Sequence, residues 1–332
     1  MDEYEIQEEK FADLKAEWWD LVRRCKQANT IFLVPEWQEP WVDVDLNADG
    51  QSPLSIRLKG TLVGLAIIRR DDGDVSFSAD TNLCDYLDFL VDPDYEQGVF
   101  DAFLEYASDQ SWQTIDFQGL QVGSPIVEML PQIAREIGHS VEITEWDVAP
   151  YAALPDTWDD YLTGMRKKDR HELRRKRRRL EEAGGFQYRV IKEMGTELER
   201  LMDEFFRLMR ISREDKAQFL NEEREEFFRN LIFSMAGLGY LRLHVLEERE
   251  TVVSAALGFS YNGTFFLYNS GFDTAYSSLS VGLLIKAYSI ENAILEGDDK
   301  FDFLRTNEPY KYHLGGQDQI VYRCFIELAD AM

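Results

Sequence analysis

Three cysteines in 332 residues, Cys25, Cys84 and Cys324, lie far apart and form no C-x-x-C pair. They read as buried structural thiols of a cytoplasmic protein, not as a disulfide framework. The opening stretch MDEYEIQEEK is acidic and polar and lacks the basic and apolar regions of a signal peptide. No run approaches the roughly 18 apolar residues of a membrane span, so no insertion into a bilayer is expected. Four histidines, His139, His171, His244 and His313, make no H-x-x-x-H or H-E-x-x-H spacing, and no metal site is assigned. No G-x-G-x-x-G follows a strand, no P-loop occurs, and GFSYNG (258–263) does not match the nucleophile elbow of serine hydrolases.

Negative charge is what the chain has in excess, with a formal net charge of −26. Such a balance argues against nonspecific nucleic-acid binding over the whole surface, and no base-reading motif for duplex DNA occurs, so no DNA partner is expected. The hydrophobic share of 45% is enough for packed cores, and 332 residues point to two domains. Against this background residues 166–179, RKKDRHELRRKRRR, hold ten Lys or Arg and only two carboxylates. Pro155, with Asp156 or Thr157 as a cap, opens a helical stretch before the run, and Gly184–Gly185 closes it. Only Leu173 and Leu180 are large and apolar within it, which leaves most of this helix wet. Helical spacing sets Arg170, Arg174 and Arg177 on one stripe of forked donors that match phosphates. The alternative is a solvated linker helix whose charges pair with the acidic body.

The chain also repeats itself. LSIRLKGTLVGLAIIRR (54–70), VSFSADTNLCDYLDFLV (75–91), a helical stretch and WQTIDFQGL (112–120) are answered later. The counterparts are LRLHVLEERETVVSAALGFSYNG (241–263), TFFLYNSGFDTAYSSLSVG (264–282), a helix and KFDFLRT (300–306). Val63 and Val253 hold like places, as do Asp116 and Asp302. The second helix is the clearest in the chain, with Leu284, Ala287, Tyr288, Ile290, Ala293 and Ile294 near a 3.6 period and Gly297 as its stop. TELERLMDEFFRLMR (196–210) puts Leu198, Leu201, Phe205, Leu208 and Met209 on one face.

Two places hold residues suited to chemistry. AYSSLSVG (275–282) is a small, hydroxyl-rich turn at a helix start, where backbone N–H groups, Ser278 and Ser280 would attract an anion. Ordinary capping by Ser280 is the simpler account. FDFLRTNEPYKYHLGG (301–316) then delivers Arg305, Glu308, Tyr310, Lys311 and His313 into one loop, a carboxylate, a phenol and cations together.

The order of these strings, with PEWQEPW (35–41) and CDYLDFLV (84–91), resembles the GNAT fold. Within it the likeness is to the tandem, Fem-like branch that includes the CelD (BcsL)-type acetyltransferases. The resemblance spans nearly the whole chain and implies an α/β protein of two GNAT-like domains with mixed sheets. The expected division is a degenerate N-terminal domain (1–153), a linking basic helix (154–185) and a C-terminal catalytic domain (186–332). The implied activity moves an acyl group from acyl-CoA, acetyl-CoA first, to an amine or hydroxyl of a small, carbohydrate or peptide acceptor, in cell-envelope or exopolysaccharide metabolism. An aminoacyl-tRNA donor, as in Fem-like relatives, and a non-catalytic scaffold of the same fold are the alternatives.

Family position places the carrier's pyrophosphate at Ser278, Ser280, Gly282 and Leu283. Of the usual Q/R-x-x-G-x-G/A pattern only Gly282 is kept. Where CelD-type relatives read FDFLRGDEPYK, this chain has Thr306 and Asn307. Glu308 is expected as base and Tyr310 as acid. Lys311, in a K-x-x-x-G-G-like context, and Arg305 would hold phosphate or developing charge. Backbone N–H groups at Asn269, Ser270 and Gly271 would polarise the thioester. The first half is expected to serve the acceptor through Trp37, Asp85 and Tyr86, with Arg170 and Arg174 adding a basic stripe for the substrate.

Overall fold

The computed structural model describes residues 4–25, 30–44 and 51–329, and they divide into two compact units. The first holds Met1–Val148 and Gln319–Met332, the second Ala149–Asp318. In chain order the first unit runs β1 (Tyr4–Glu8), α1 (Phe11–Arg24), α2 (Pro35–Val44), β2 (Gln51–Leu58), β3 (Thr61–Asp71), β4 (Asp74–Phe77) and β5 (Leu90–Val91). It continues with α3 (Glu96–Asp109), β6 (Thr114–Leu120), α4 (Pro125–Glu128), α5 (Leu130–Glu136) and β7 (Ser140–Val148). The second opens with β8 (Tyr151–Ala153), α6 (Trp158–Gly164), α7 (Lys167–Ala183), β9 (Phe186–Ile191), α8 (Thr196–Ser212), α9 (Glu214–Phe219) and α10 (Glu222–Gly237). Next come β10 (Leu241–Glu248), β11 (Thr251–Tyr261), β12 (Thr264–Phe272), α11 (Val281–Glu296), β13 (Lys300–Asp302) and α12 (Pro309–His313). The last strand, β14 (Ile320–Glu327), returns to the first unit.

Each unit is built on the same plan. A three-stranded antiparallel meander (β2-β3-β4, β10-β11-β12) is followed by a helix and a strand parallel to the third: β6 beside β4, β13 beside β12. The correspondence reaches single residues. Ile56 faces Gly64 and Arg57 faces Leu62, so Val63 is the extra residue of a β-bulge. Leu246 faces Ser254 and Glu247 faces Val252, so Val253 is its counterpart. Asp116 on β6 and Asp302 on β13 likewise both lie opposite the third strand of their meander.

Helix α8 buries all five apolar residues expected on its inner face, each 0% exposed. Helix α11 buries Leu284, Ala287, Ile290, Ala293 and Ile294 against the sheet, and Gly297 caps it in the left-handed region at φ +83°.

The boundaries differ from those expected. The basic segment is no linker: Leu173 and Leu180 of α7 are buried in the core shared with α11. Strand β8, expected with the first half, pairs with β13 of the second. Strand β14, expected at the end of the second domain, lies between β6 and β7. The alternating pattern of a strand specifies which face is buried, but not which sheet edge accepts its backbone. Cys25, Cys84 and Cys324 are buried and free. Among the described residues no helix is long and apolar enough to cross a membrane, and no group of His, Cys, Asp or Glu is placed to hold a metal ion.

Candidate functional site

Strands β12 and β13 pair only from Thr264 to Phe266 and from Lys300 to Asp302, and beyond these residues they part. Just past that point, on the β11 side of β12, Leu257 faces Asn269 while Gly258 faces Leu267, which makes Tyr268 a bulged residue. Asn269 accepts from Lys216 Nζ and from the Ser270 amide, both at 2.8 Å. Lys216 also donates to the Ser270 carbonyl. The Ser270 N–H expected to polarise a substrate is thus engaged by its neighbour's side chain. Gly271 serves packing: a Cβ there would lie 2.5 Å from the backbone of Leu208 and Met209, so only glycine lets β12 approach α8 this closely.

Loop 303–316 returns to this cleft. Leu304 and Thr306 adopt left-handed φ values of +62° and +80°, costly for residues with a Cβ. Lys311 holds them. It is 2% exposed, and its ammonium donates to the carbonyls of Leu304 (2.9 Å), Arg305 and Thr306 (3.0 Å) while pairing with Glu308 at 2.9 Å. Three protons facing those acceptors leave none for a phosphate, so the expected anion-binding role of Lys311 gives way to positioning the loop. The glycine pair ends α12: the Gly316 amide donates to the Lys311 carbonyl at 2.9 Å, and a Cβ on Gly316 would meet that same oxygen at 2.9 Å.

Glu308 accepts from Thr306 Oγ1 at 2.5 Å. Burial alone would raise its pKa, but Thr306 and the Lys311 charge outweigh it and hold the carboxyl below its usual range. It is ionised at neutral pH and a weak base. Half-buried Tyr310 carries Lys286 Nζ over its ring, 4.6 Å from the centroid, and Lys286 donates to the Gly282 carbonyl at 2.8 Å. Burial, then the charge of Lys216, lowers Lys286 to about 7, and burial lowers Lys216 to about 8. Glu308 opposes both shifts, and Arg213 deepens both. Neither lysine was among the expected residues. The signal for Lys286 was its position as the single Lys or Arg in the apolar sequence of α11.

The start of α11 is where the basic helix arrives. Lys176 donates to Ser280 Oγ at 2.9 Å, and Arg179 donates to the Ser278 carbonyl at 2.6 Å. Ser280 sits at the N-cap in the left-handed region, φ +59°, and makes no capping bond, which sets aside ordinary capping. The amides of Val281 and Gly282 open the helix, where N–H groups have no intrahelical acceptor. Gly282 is also a packing residue, since a Cβ would come within 2.6 Å of the Phe272 ring. Leu283 packs half-buried against the core.

The expected stripe behaves differently. Arg170 binds the carbonyls of Leu162 (3.2 Å) and Thr163 (3.0 Å) at the end of α6, and Arg174 is exposed. Arg305 is half-buried, and its carbonyl is among the acceptors of Lys311. His313 pairs with buried Asp169 of α7 at 3.0 Å.

In the first unit the matching splay, between β4 and β6, is bridged. The Leu87 amide donates to the Gly119 carbonyl at 3.0 Å, and Gly119, at φ +83°, lies against the Asp85 carbonyl. Trp37 and Tyr86 are 0% and 1% exposed and flank Phe32, with ring centroids 4.5 and 5.8 Å away. They are core residues and line no cleft; aromatic side chains of this size, placed between helix and sheet, bury themselves. A polar concavity of about 550 Å³ remains nearby, with Arg69, Asp80, Asp116 and Gln118 in its wall.

Residues 167–312 match the family described as an acetyltransferase (GNAT) domain. Among solved structures, the chain is similar to FemX, at 13% identity over 98% of each chain with a TM-score of 0.64. It is similar also to a conserved protein of unknown function from Bacteroides thetaiotaomicron, at 13% identity over 98% of this chain and 100% of the other, TM-score 0.64. A tandem GNAT protein from the clavulanic acid biosynthesis pathway aligns at 12% identity over 97% and 98% of the two chains, TM-score 0.53. No curated protein sequence matches. Likeness at such identities speaks for the fold, two GNAT units in tandem. The family match falls within the second unit, from α7 into α12.

Proposed function

We propose that the second unit transfers an acyl group from acyl-CoA, acetyl-CoA first, to an amine or hydroxyl acceptor in the cleft between β12 and β13. The observation that carries this reading is the pair Lys176 and Arg179 reaching the turn at the start of α11. Two cations and the opening N–H groups of a helix make a fitting cradle for a pyrophosphate. A bound thioester supplies the acyl carbon that the acceptor attacks, a C–N or C–O bond forming as the C–S bond breaks. Lys286 receives the acceptor's proton: in its neutral form it still donates to the Gly282 carbonyl and keeps a free lone pair. Ionised Glu308 orients the acceptor, Lys216 faces the developing oxyanion, and Tyr310 protonates the leaving thiolate.

Thermal stability with and without acetyl-CoA tests the reading. Saturation at about 100 times the dissociation constant adds ~2.7 kcal/mol. Replacing Lys176 and Arg179 together by Gln should remove most of that shift while the variant stays folded. No shift with any acyl-CoA would sink the proposal.

One observation favours a second reading with an aminoacyl-tRNA donor. Lys167, Lys168, Arg174 and Arg178 are exposed on α7 and make no ion pair among the described residues. Steeply salt-dependent tRNA affinity, lost when these four become Gln, would support it.

A further inference from the structure

The second unit carries another concavity, about 820 Å³, beneath α7. Neither the Ser278–Leu283 turn nor loop 303–313 lines it. Its walls include Trp158, Leu180, Phe186, Tyr188, Tyr288 and Leu295. The volume and the aromatic lining suit a small molecule of drug-like size.

The polar groups decide which molecule. The Tyr188 hydroxyl lies 2.7 Å from His244 Nδ1 and 3.2 Å from the Tyr288 carbonyl. His244 is 0% exposed, and burial lowers its pKa to about 3, so the ring is neutral. With its proton on Nδ1, the chain His244 to Tyr188 to the Tyr288 carbonyl uses every donor in it. Arg177 is shared between Glu291 at 2.9 Å and Glu181 at 3.4 Å, with its guanidinium 5.2 Å from the Tyr288 ring centroid.

The Tyr188 hydroxyl and the Arg177 guanidinium are therefore engaged, while carboxylates and an amide oxygen of the wall are in surplus. The wall holds three carboxylates, Asp156, Glu181 and Glu291, and one guanidinium, Arg177, and the Asn292 amide oxygen is buried without a partner. A buried acceptor left unmatched carries a desolvation cost, which a ligand donor would recover. Aromatic faces attract cations as well.

We propose that this pocket binds a hydrophobic primary amine, its ammonium toward Asn292 and the carboxylates and its apolar body against the aromatic walls. This site is separate from the proposed acyl-transfer cleft and does not depend on that reading.

Calorimetric titration of the full chain with tryptamine, indole-3-ethanol and indole-3-propionate tests it. Tryptamine should bind at one saturable site, about tenfold or more tighter than the alcohol, with no binding of the acid. Asn292→Leu and Asp156→Asn should each weaken tryptamine about tenfold, and Arg179→Gln, at the α11 turn, should leave it unchanged. Asp156 is exposed, so its variant decides the matter should Asn292→Leu fail to fold. The proposal is overturned by the absence of saturable tryptamine binding, by equal affinity for the three probes, by affinity unchanged in the Asp156 variant, or by its loss in the Arg179 variant.

Discussion

Lys176 donates to Ser280 Oγ at 2.9 Å across 104 residues of sequence. The contact explains why a strongly acidic chain concentrates cations in one helix. Part of the run holds the fold: Arg170 binds the end of α6, and Arg177 pairs with Glu291 of α11. Lys176 and Arg179 reach the opening of α11, and four other cations stay in solvent. A local positive field there would offset the repulsion that the rest of the chain exerts on the proposed acyl-CoA donor.

Lys311 acts on stability before it acts on chemistry. Lys311→Met removes the ammonium that holds the left-handed Leu304 and Thr306 and leaves buried carbonyls unmatched. The expected cost is roughly 3–5 kcal/mol by urea unfolding. Lys311→Arg should not restore it, because a planar fork cannot reach three successive carbonyls. A loss below about 1 kcal/mol would show that the loop stands without this ammonium.

Two glycines of the cleft differ in what they touch. Gly271→Ala drives a methyl into the backbone of α8, which cannot yield, and should cost about 3 kcal/mol or more. Gly282→Ala meets the Phe272 ring, which can tilt, and regains some helix propensity. Its cost should be about 1–2 kcal/mol. Melting temperatures of the two variants, compared side by side, check the ranking.

Lys286 ties pH to folding and, on the proposed mechanism, to rate. Its pKa is about 7 in the folded chain and ~10.4 when unfolded. Between those values the native state binds fewer protons, so its contribution makes stability rise with pH across that window, and the penalty is full below pH ~7. Lys286→Met should flatten this rise and stabilise the chain at pH 6. If Lys286 is the base, kcat/KM of the native enzyme rises to a plateau above pH ~7, and the variant loses that limb. A profile that keeps the limb in Lys286→Met removes the lysine from the mechanism.

Much of this was readable in the sequence, because it rests on local pattern. The 3.6 period of α8 and α11 and the stop at Gly297 depend on which residues can face a core. The pairing of Val63 with Val253 is realised as the same bulge in two sheets, since a repeated sequence repeats its backbone irregularities too. What only the tertiary structure decided involves the choice of partner. Strand β14 could have closed either sheet, and it joins β6 and β7. Trp37 and Tyr86 had the chemistry of a binding surface, and packing put them inside. Lys311 looked like a phosphate ligand until its ammonium was placed against the carbonyls of its own loop, and Lys216 and Lys286 drew no attention until burial lowered their pKa values. Composition and spacing set what a side chain can bond, but burial and neighbours far along the chain determine which bond it makes.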